Sequence, residues 1–374
     1  MCSRSRGSGI LRVHHYLVHF CVLSLARVRR EMMEGVLVRE MSEDEILSCV
    51  VPLLPCGRHT TVPNGDDSAV LDTPDGRVTV STDMLVEGIH FRRDWSSGED
   101  VGWRAAMQNI ADAVAMGAAP VSLVVSFELP GDLPVEWVEG LARGIAAACR
   151  SCGCGVDGGD LVAGRAVAIG VTILGDLEGR VPLQRSGAQP GQPLIHAGVL
   201  GHSMAGLELL QRGFAPAAGF PDAETVFIDD FRRPKPPVAA ALRAAAEGRI
   251  ASFMDVSDGL VRDCTRLAKA SGVWIDIDTD LLHDDAQALI EPARHLGMSD
   301  PWGWAYRTVL SGGEDHGFLG TLDVPAERAW GPGRGQLPDG FRRIGIVRDR
   351  VAGGRVTLDG HDAVGLGGWD HFAR

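Results

Sequence analysis

At 374 residues the chain has room for two domains, each with its own core. Hydrophobic residues at 45% and charged residues at 23% describe a globular protein, and a net charge of −13 argues against a nucleic-acid groove or an anionic membrane as the main partner. The only lysines are Lys235 and Lys269, so arginine carries nearly all the positive charge.

Residues 1–40 differ from the rest of the chain. No acidic residue occurs before Glu31, and the apolar run from 10 to 26 is interrupted by Arg12, His14, His15 and His19, which spoils it as a signal peptide or membrane span. The segment is expected to lie outside the fold, as a disordered extension or as sequence upstream of a true start at Met41. From there the chain is expected to form a domain over 41–183 and a second over 184–374.

Ser42 and Glu45 form a capping box that opens a helix through about Leu54. A loop ending Asn64-Gly65-Asp66-Asp67 leads to a short strand, 69–72, and a turn at Pro74-Asp75-Gly76. Alternation along Val78, Val80 and Thr82 predicts a strand over 77–82 that stops at Asp83. Helical spacing runs from Glu99 to Gly117 and places Asn109 and Asp112 on one face. A strand at 121–129, a helix at 135–149 and a strand at 166–174 complete an α+β unit with helices over a mostly antiparallel sheet.

Turn formers at 184–193 mark the boundary. Beyond it the pattern predicts an α/β alternation: strand 194–197, helices 203–211 and 237–246, strand 251–256, helix 259–270, strand 273–277, a helix near 283–296, and strands near 316–322 and 341–347. Gly331 to Gly340 reads as a surface loop. Cys149-x-x-Cys152 closes a helical stretch and has neither a second pair nor a nearby histidine, so reduced thiols are expected rather than zinc or a redox site.

Six acid clusters stand beside Gly, Ser or Thr at element ends: Asp66-Asp67, Ser81-Thr82-Asp83, Asn109 with Asp112, Gly158-Gly159-Asp160, Asp255-Val-Ser257-Asp258 and Gly313-Glu314-Asp315. Each alone suits a turn. Together they supply the hard oxygen donors that Mg²⁺ and its nucleotide complexes require. No Walker lysine is present, and Gly153-x-Gly155-x-x-Gly158 opens no helix, so phosphates would be neutralised by metal ions and arginine.

GDDSAVL, STDMLVEGIHF, NIADAVAMGA, GGD, RSGA, MDVSDGL, SGGED and GWDHF occur in order between about 60 and 372. In these eight motifs the chain resembles the thiamine-monophosphate kinases of the aminoimidazole-ribonucleotide-synthetase-like superfamily. The resemblance implies a two-domain synthetase-like fold, a homodimer formed through the N-terminal sheets, a cytoplasmic location, and transfer of the ATP γ-phosphate to thiamine monophosphate. It implies several Mg²⁺ ions held by Asp66, Ser81, Thr82, Asp83, Asp112, Asp160, Asp255 and Asp258, with Asp83, Asp112 and Asp160 central to catalysis. Gly159, Asp160, Arg185 and Ser257 would contact ATP. His90, Glu314 and Trp369 would hold the thiamine phosphate, although His90 also suits a turn and Trp369 a core anchor. His316 stands where the family commonly has Tyr or Phe.

The acceptor is a phosphate with a second pKa of about 6, already anionic, so direct in-line transfer needs no general base. The alternatives are another ATP-using member of the superfamily, in the selenide or purine pathway, or a two-metal phosphohydrolase. Against the first, Met84 to Gly88 contains no lysine and the chain ends Phe-Ala-Arg, although Cys56 keeps the selenide route open.

Overall fold

The computed structural model describes residues 35–65, 67–214, 225–324, 337–363 and 365–369. In chain order these residues form helix α1 (Glu43–Val50), strands β1 (Thr60–Val62), β2 (Val70–Leu71) and β3 (Thr79–Val86), α2 (Gly98–Ala115), β4 (Ala119–Pro130), α3 (Val135–Cys152), β5 (Gly155–Gly164) and β6 (Ala168–Asp176). Then come β7 (Pro193–Ala197), α4 (His202–Gln211), α5 (Thr225–Arg232), α6 (Val238–Ala246), β8 (Ile250–Val256), α7 (Leu260–Ser271) and β9 (Val273–Ile277). The chain continues with α8 (His283–Ala288), α9 (Ile290–His295), α10 (Pro301–Ser311), β10 (Gly317–Leu322), β11 (Arg342–Arg350), β12 (Arg355–Leu358) and β13 (His361–Asp362).

The larger N-terminal sheet has the order β3-β6-β4-β5, antiparallel except for the parallel β4–β5 pair. The C-terminal sheet has the order β13-β12-β9-β11-β7-β10-β8, antiparallel except for β9–β12. This is the expected α+β architecture. Helix α2 is its pivot. A capping box between Ser97 and Asp100 starts it, and it packs against α3 with the backbones nearly touching. A Cβ on Gly102 would fall 2.0 Å from the Leu141 carbonyl oxygen, and one on Gly144 2.1 Å from that of Glu99, so neither position accepts a side chain. One core joins α2, α3 and the inner face of the four-stranded sheet to Ile195, Phe253 and Phe318 of the second sheet and to Ala241 of α6. A second core fills the other face of that sheet.

Several expectations are corrected. The strand through Asp83 does not stop there but continues to Val86, so Asp83 sits within a ladder opposite Val171. Residues 155–164, to which no element was assigned and whose Gly158-Gly159-Asp160 suited a turn, form β5. Helices α5 and α10 were not foreseen, and the helix expected near 283–296 is two short ones. Residues 36–40 belong to the fold: Val38 and Arg39 donate to Leu133 and Gly131 carbonyls, and Val135 donates to Val36. The rest of the extension, and most of the loop expected over Gly331 to Gly340, lie outside the described residues.

Candidate functional site

Along α2, Arg104, Gln108 and Asp112 recur every fourth residue and so form one polar stripe. Across from its C-terminal half lies β3, whose alternation turns Ser81 and Asp83 toward the helix and Thr82 toward the open face of the sheet. Asp255, 5% exposed, closes the group from the end of β8. Burial raises the Asp83 carboxyl, with Asp255 and Glu314 adding to the effect against His316 and Gln108. Burial, then Asp255 and Asp83, push Asp112 up to about 7, while Ser81 and His316 act in the opposite sense. Three carboxylates thus share one poorly solvated space with too little positive charge.

The positive charge present is His316. Its ring nitrogens stand 3.8 Å from Asp255 Oδ2 and 3.6 Å from Glu314 Oε2, at ion-pair rather than hydrogen-bond distance. Burial opposes its charge, but the two carboxylates prevail and push the imidazolium up to about 10. The buried imidazole thus links two acids of different elements.

Glu314 is differently placed. It is reached through a turn in which Glu314 and His316 donate backbone N–H groups to Ser257 and Val256 carbonyls, which locks the 313–316 loop onto the end of β8. Burial alone would raise its carboxyl, but Arg104, 2.7 Å away, and His316 hold it well below the usual carboxylate range. The neighbouring Asp315 points elsewhere. Its oxygens accept from the Gly201 and Ser203 amides at 2.5 and 2.8 Å, capping α4, and burial pushes it up to about 6 despite them. The second acid of SGGED is therefore a helix cap.

Beside Glu314 opens a cavity of about 380 Å³ lined by His90, Arg104, Ser203, Phe231, Glu314 and Trp369, among others. The three residues expected to hold the thiamine phosphate therefore share one cavity. His90 folds back so that Nδ1 accepts from the Val86 amide at 3.0 Å, while Trp369 donates its backbone N–H to the Asp258 carbonyl. Both the turn role and the cavity position of His90 hold at once.

The remaining expected residues divide. Ser257 lies in the 255–259 loop beside Glu314. Asp258 is held by Arg266 at 2.5 Å and Arg262 at 3.8 Å, beside the buried Asp263, which burial and then Asp255 push up to about 7. Arg185 is exposed on the loop flanking β8, where its carbonyl accepts from the Ser271 hydroxyl. Thr82 does not join Asp83; its hydroxyl donates to the Val171 carbonyl on the opposite face. Asp160 does not join it either. β5 is at the far edge of the sheet from β3, three strand spacings or roughly 14 Å away. Register also places Asp160 in the row of Ser126, Gly170 and Met84, on the open face. Gly159 lies in the Asp83 row, and a Cβ there would sit 2.1 Å from the Val125 carbonyl oxygen, which explains the glycine by strand packing. Asp66 lies outside the described residues.

Within one chain the convergence is thus smaller than expected: Ser81, Asp83, Asp112 and Asp255, with Glu314 adjoining. Among the described residues no three His, Cys, Asp or Glu side chains stand close enough to hold a metal ion as placed. In kind they fit Mg²⁺, being hard oxygen donors, and the raised proton affinities of Asp83 and Asp112 record uncompensated charge. Arg104 and Gln108 were missed by the sequence reading. The signal that marks them is the four-residue spacing to Asp112.

The AIR synthase related protein N-terminal domain model matches residues 65–177, and the corresponding C-terminal domain model matches 189–306. Thiamine-monophosphate kinase of Mycobacterium tuberculosis is 42% identical over 308 residues, covering 82% of this chain and 85% of that protein. The Corynebacterium glutamicum enzyme of the same name is 40% identical over 312 residues, covering 83% and 88%. Among solved structures, AaThiL complexed with AMPPCP and TMP superposes with a TM-score of 0.67 at 32% identity, covering 82% of this chain and 91% of that one.

Proposed function

The chain belongs to the thiamine-monophosphate kinase family of AIR-synthase-related proteins, and from that premise we propose how its residues perform the family reaction. The activity is ATP-dependent phosphorylation of thiamine monophosphate to thiamine diphosphate. One observation carries the reading of the site: His316 touches both Asp255 of the acid group and Glu314 of the cavity, so donor and acceptor sites adjoin.

In the cavity, Glu314 is held as an anion ready to accept hydrogen bonds from an aminopyrimidine, and Trp369, 48% exposed, offers an aromatic face to a thiazolium. His90 lines the same cavity. Asp83, Asp112 and Asp255 are the residues that would hold Mg²⁺, which when bound neutralises phosphate charge. Ser257, two residues beyond Asp255, and the guanidinium of Arg185 would contact ATP. The acceptor phosphate is already a nucleophile, so these residues align and screen but take no proton, and no phosphoenzyme forms.

The open face of the four-stranded sheet exposes Val80, Met84, Val124 and Val162 at 39–66%, an apolar face suited to covering by a second copy. Asp160 lies on that same face, so its use depends on the homodimer. Among the described residues no helix is long and apolar enough to cross a membrane, and the six described cysteines are free, which suits a reducing cytoplasm.

Direct transfer is tested by a pulse of γ-labelled ATP followed by denaturing separation. The label is expected in thiamine diphosphate and none in protein. Labelled protein that chases into product would replace direct transfer with a two-step route.

A further inference from the structure

We propose that Arg104 is the positioning residue of the acceptor site, fixing Glu314 and the His90 turn as one rigid unit. The inference rests on the reading of Glu314 as a substrate contact.

Arg104 comes from α2, yet three of its contacts lie on other elements. Its Nη2 donates to Glu314 Oε2 at 2.7 Å and its Nη1 to the His90 carbonyl at 2.9 Å. Its guanidinium lies 4.7 Å from the centre of the Phe231 ring on α5. At 3% exposure it offers almost no surface to a ligand, whereas the Glu314 side chain is 33% exposed toward the cavity. Arg104 therefore acts through its partners.

Glu314 needs such a partner. Its φ of +72° is a left-handed conformation that a residue with a Cβ keeps only when its surroundings impose it. Without the guanidinium, the ring of His316 at 3.6 Å would be its remaining basic neighbour, and that ring is shared with Asp255. The carboxylate would then turn toward the acid group and away from the cavity. Lysine cannot replace both bonds, because one ammonium is a point charge and the guanidinium is a planar fork.

The test compares wild type, Arg104→Met, Arg104→Lys, Glu314→Gln and the Met/Gln double variant in steady-state kinetics, with AMPPCP affinity measured separately. In Arg104→Met the KM for thiamine monophosphate is expected to rise roughly tenfold or more, while the KM for ATP and AMPPCP affinity change less than about twofold. Arg104→Lys should recover part of the loss, and the double variant should bind the acceptor no worse than Glu314→Gln alone. Equal changes in both KM values, or additive losses in the double variant, would overturn the proposal. If Arg104→Met does not fold, Arg104→Lys decides: a selective rise in acceptor KM supports the role, and wild-type values overturn it. Wild-type ADP release that ignores thiamine monophosphate would instead remove the assigned reaction, a failure visible without any variant.

Discussion

The two ends of the α2 stripe hold acids in opposite states. At Arg104, Glu314 has a guanidinium at 2.7 Å and stays ionised well below the usual range. Two turns later Asp112 faces Asp83 and Asp255, and its carboxyl is pushed up to about 7. Burial penalises the charge at both ends, so the difference comes from what stands opposite: a fixed protein cation at one, further carboxylates at the other. In the proposed reading the first end presents an anion to the acceptor. In the same reading the second would be completed by cations from outside, and His316 tempers it only in part.

The comparison can be broken most forcefully at the second end. Asp112→Asn is expected to lower kcat/KM by roughly 100-fold or more, since it removes a charge that would hold metal, and to leave the circular dichroism spectrum unchanged. Near-normal turnover would make Asp112 a structural acid. Adding Mg²⁺ with a non-hydrolysable ATP analogue should stabilise the fold by about 2.7 kcal/mol at a hundredfold excess over Kd. An unchanged melting temperature would mean that the acids do not await cations.

The pH dependence sharpens the same contrast. The folded-state values of Asp112 and Asp263 are raised to about 7, above an unfolded value near 4. Between about pH 4 and pH 7 the native chain therefore holds protons that the unfolded chain has released, so their contribution to stability falls as pH rises through that window and levels off above it. In metal-free protein the urea midpoint should fall less steeply for Asp112→Asn than for wild type, and a steeper slope in the variant would reverse the assignment. The smallest effect belongs to Asp315→Asn. Loss of a carboxylate cap should cost about 1 kcal/mol of stability and leave both KM values in place. A selective loss of activity there would place Asp315 at the chemistry.

Local chemistry was legible in the sequence, and facing was not. The Ser42–Glu45 capping box is present as read, because its partners are three residues apart. β5 was missed because Gly158-Gly159-Asp160 suits a turn. In the fold, glycine is what permits close approach to β4, since a Cβ at 159 would strike the Val125 carbonyl. Thr82, next in sequence to Asp83, and Asp160 both point to the open face, and only strand parity and sheet order reveal that. Arg104 and Glu314 are 210 residues apart, so no local pattern announced their pairing. Its trace was the polar residue recurring every fourth position on α2.

The most direct measurement is ADP release with thiamine monophosphate present and absent. Adjoining donor and acceptor sites predict ADP in step with thiamine diphosphate and almost none without the acceptor. ADP released at the same rate in its absence would contradict the account.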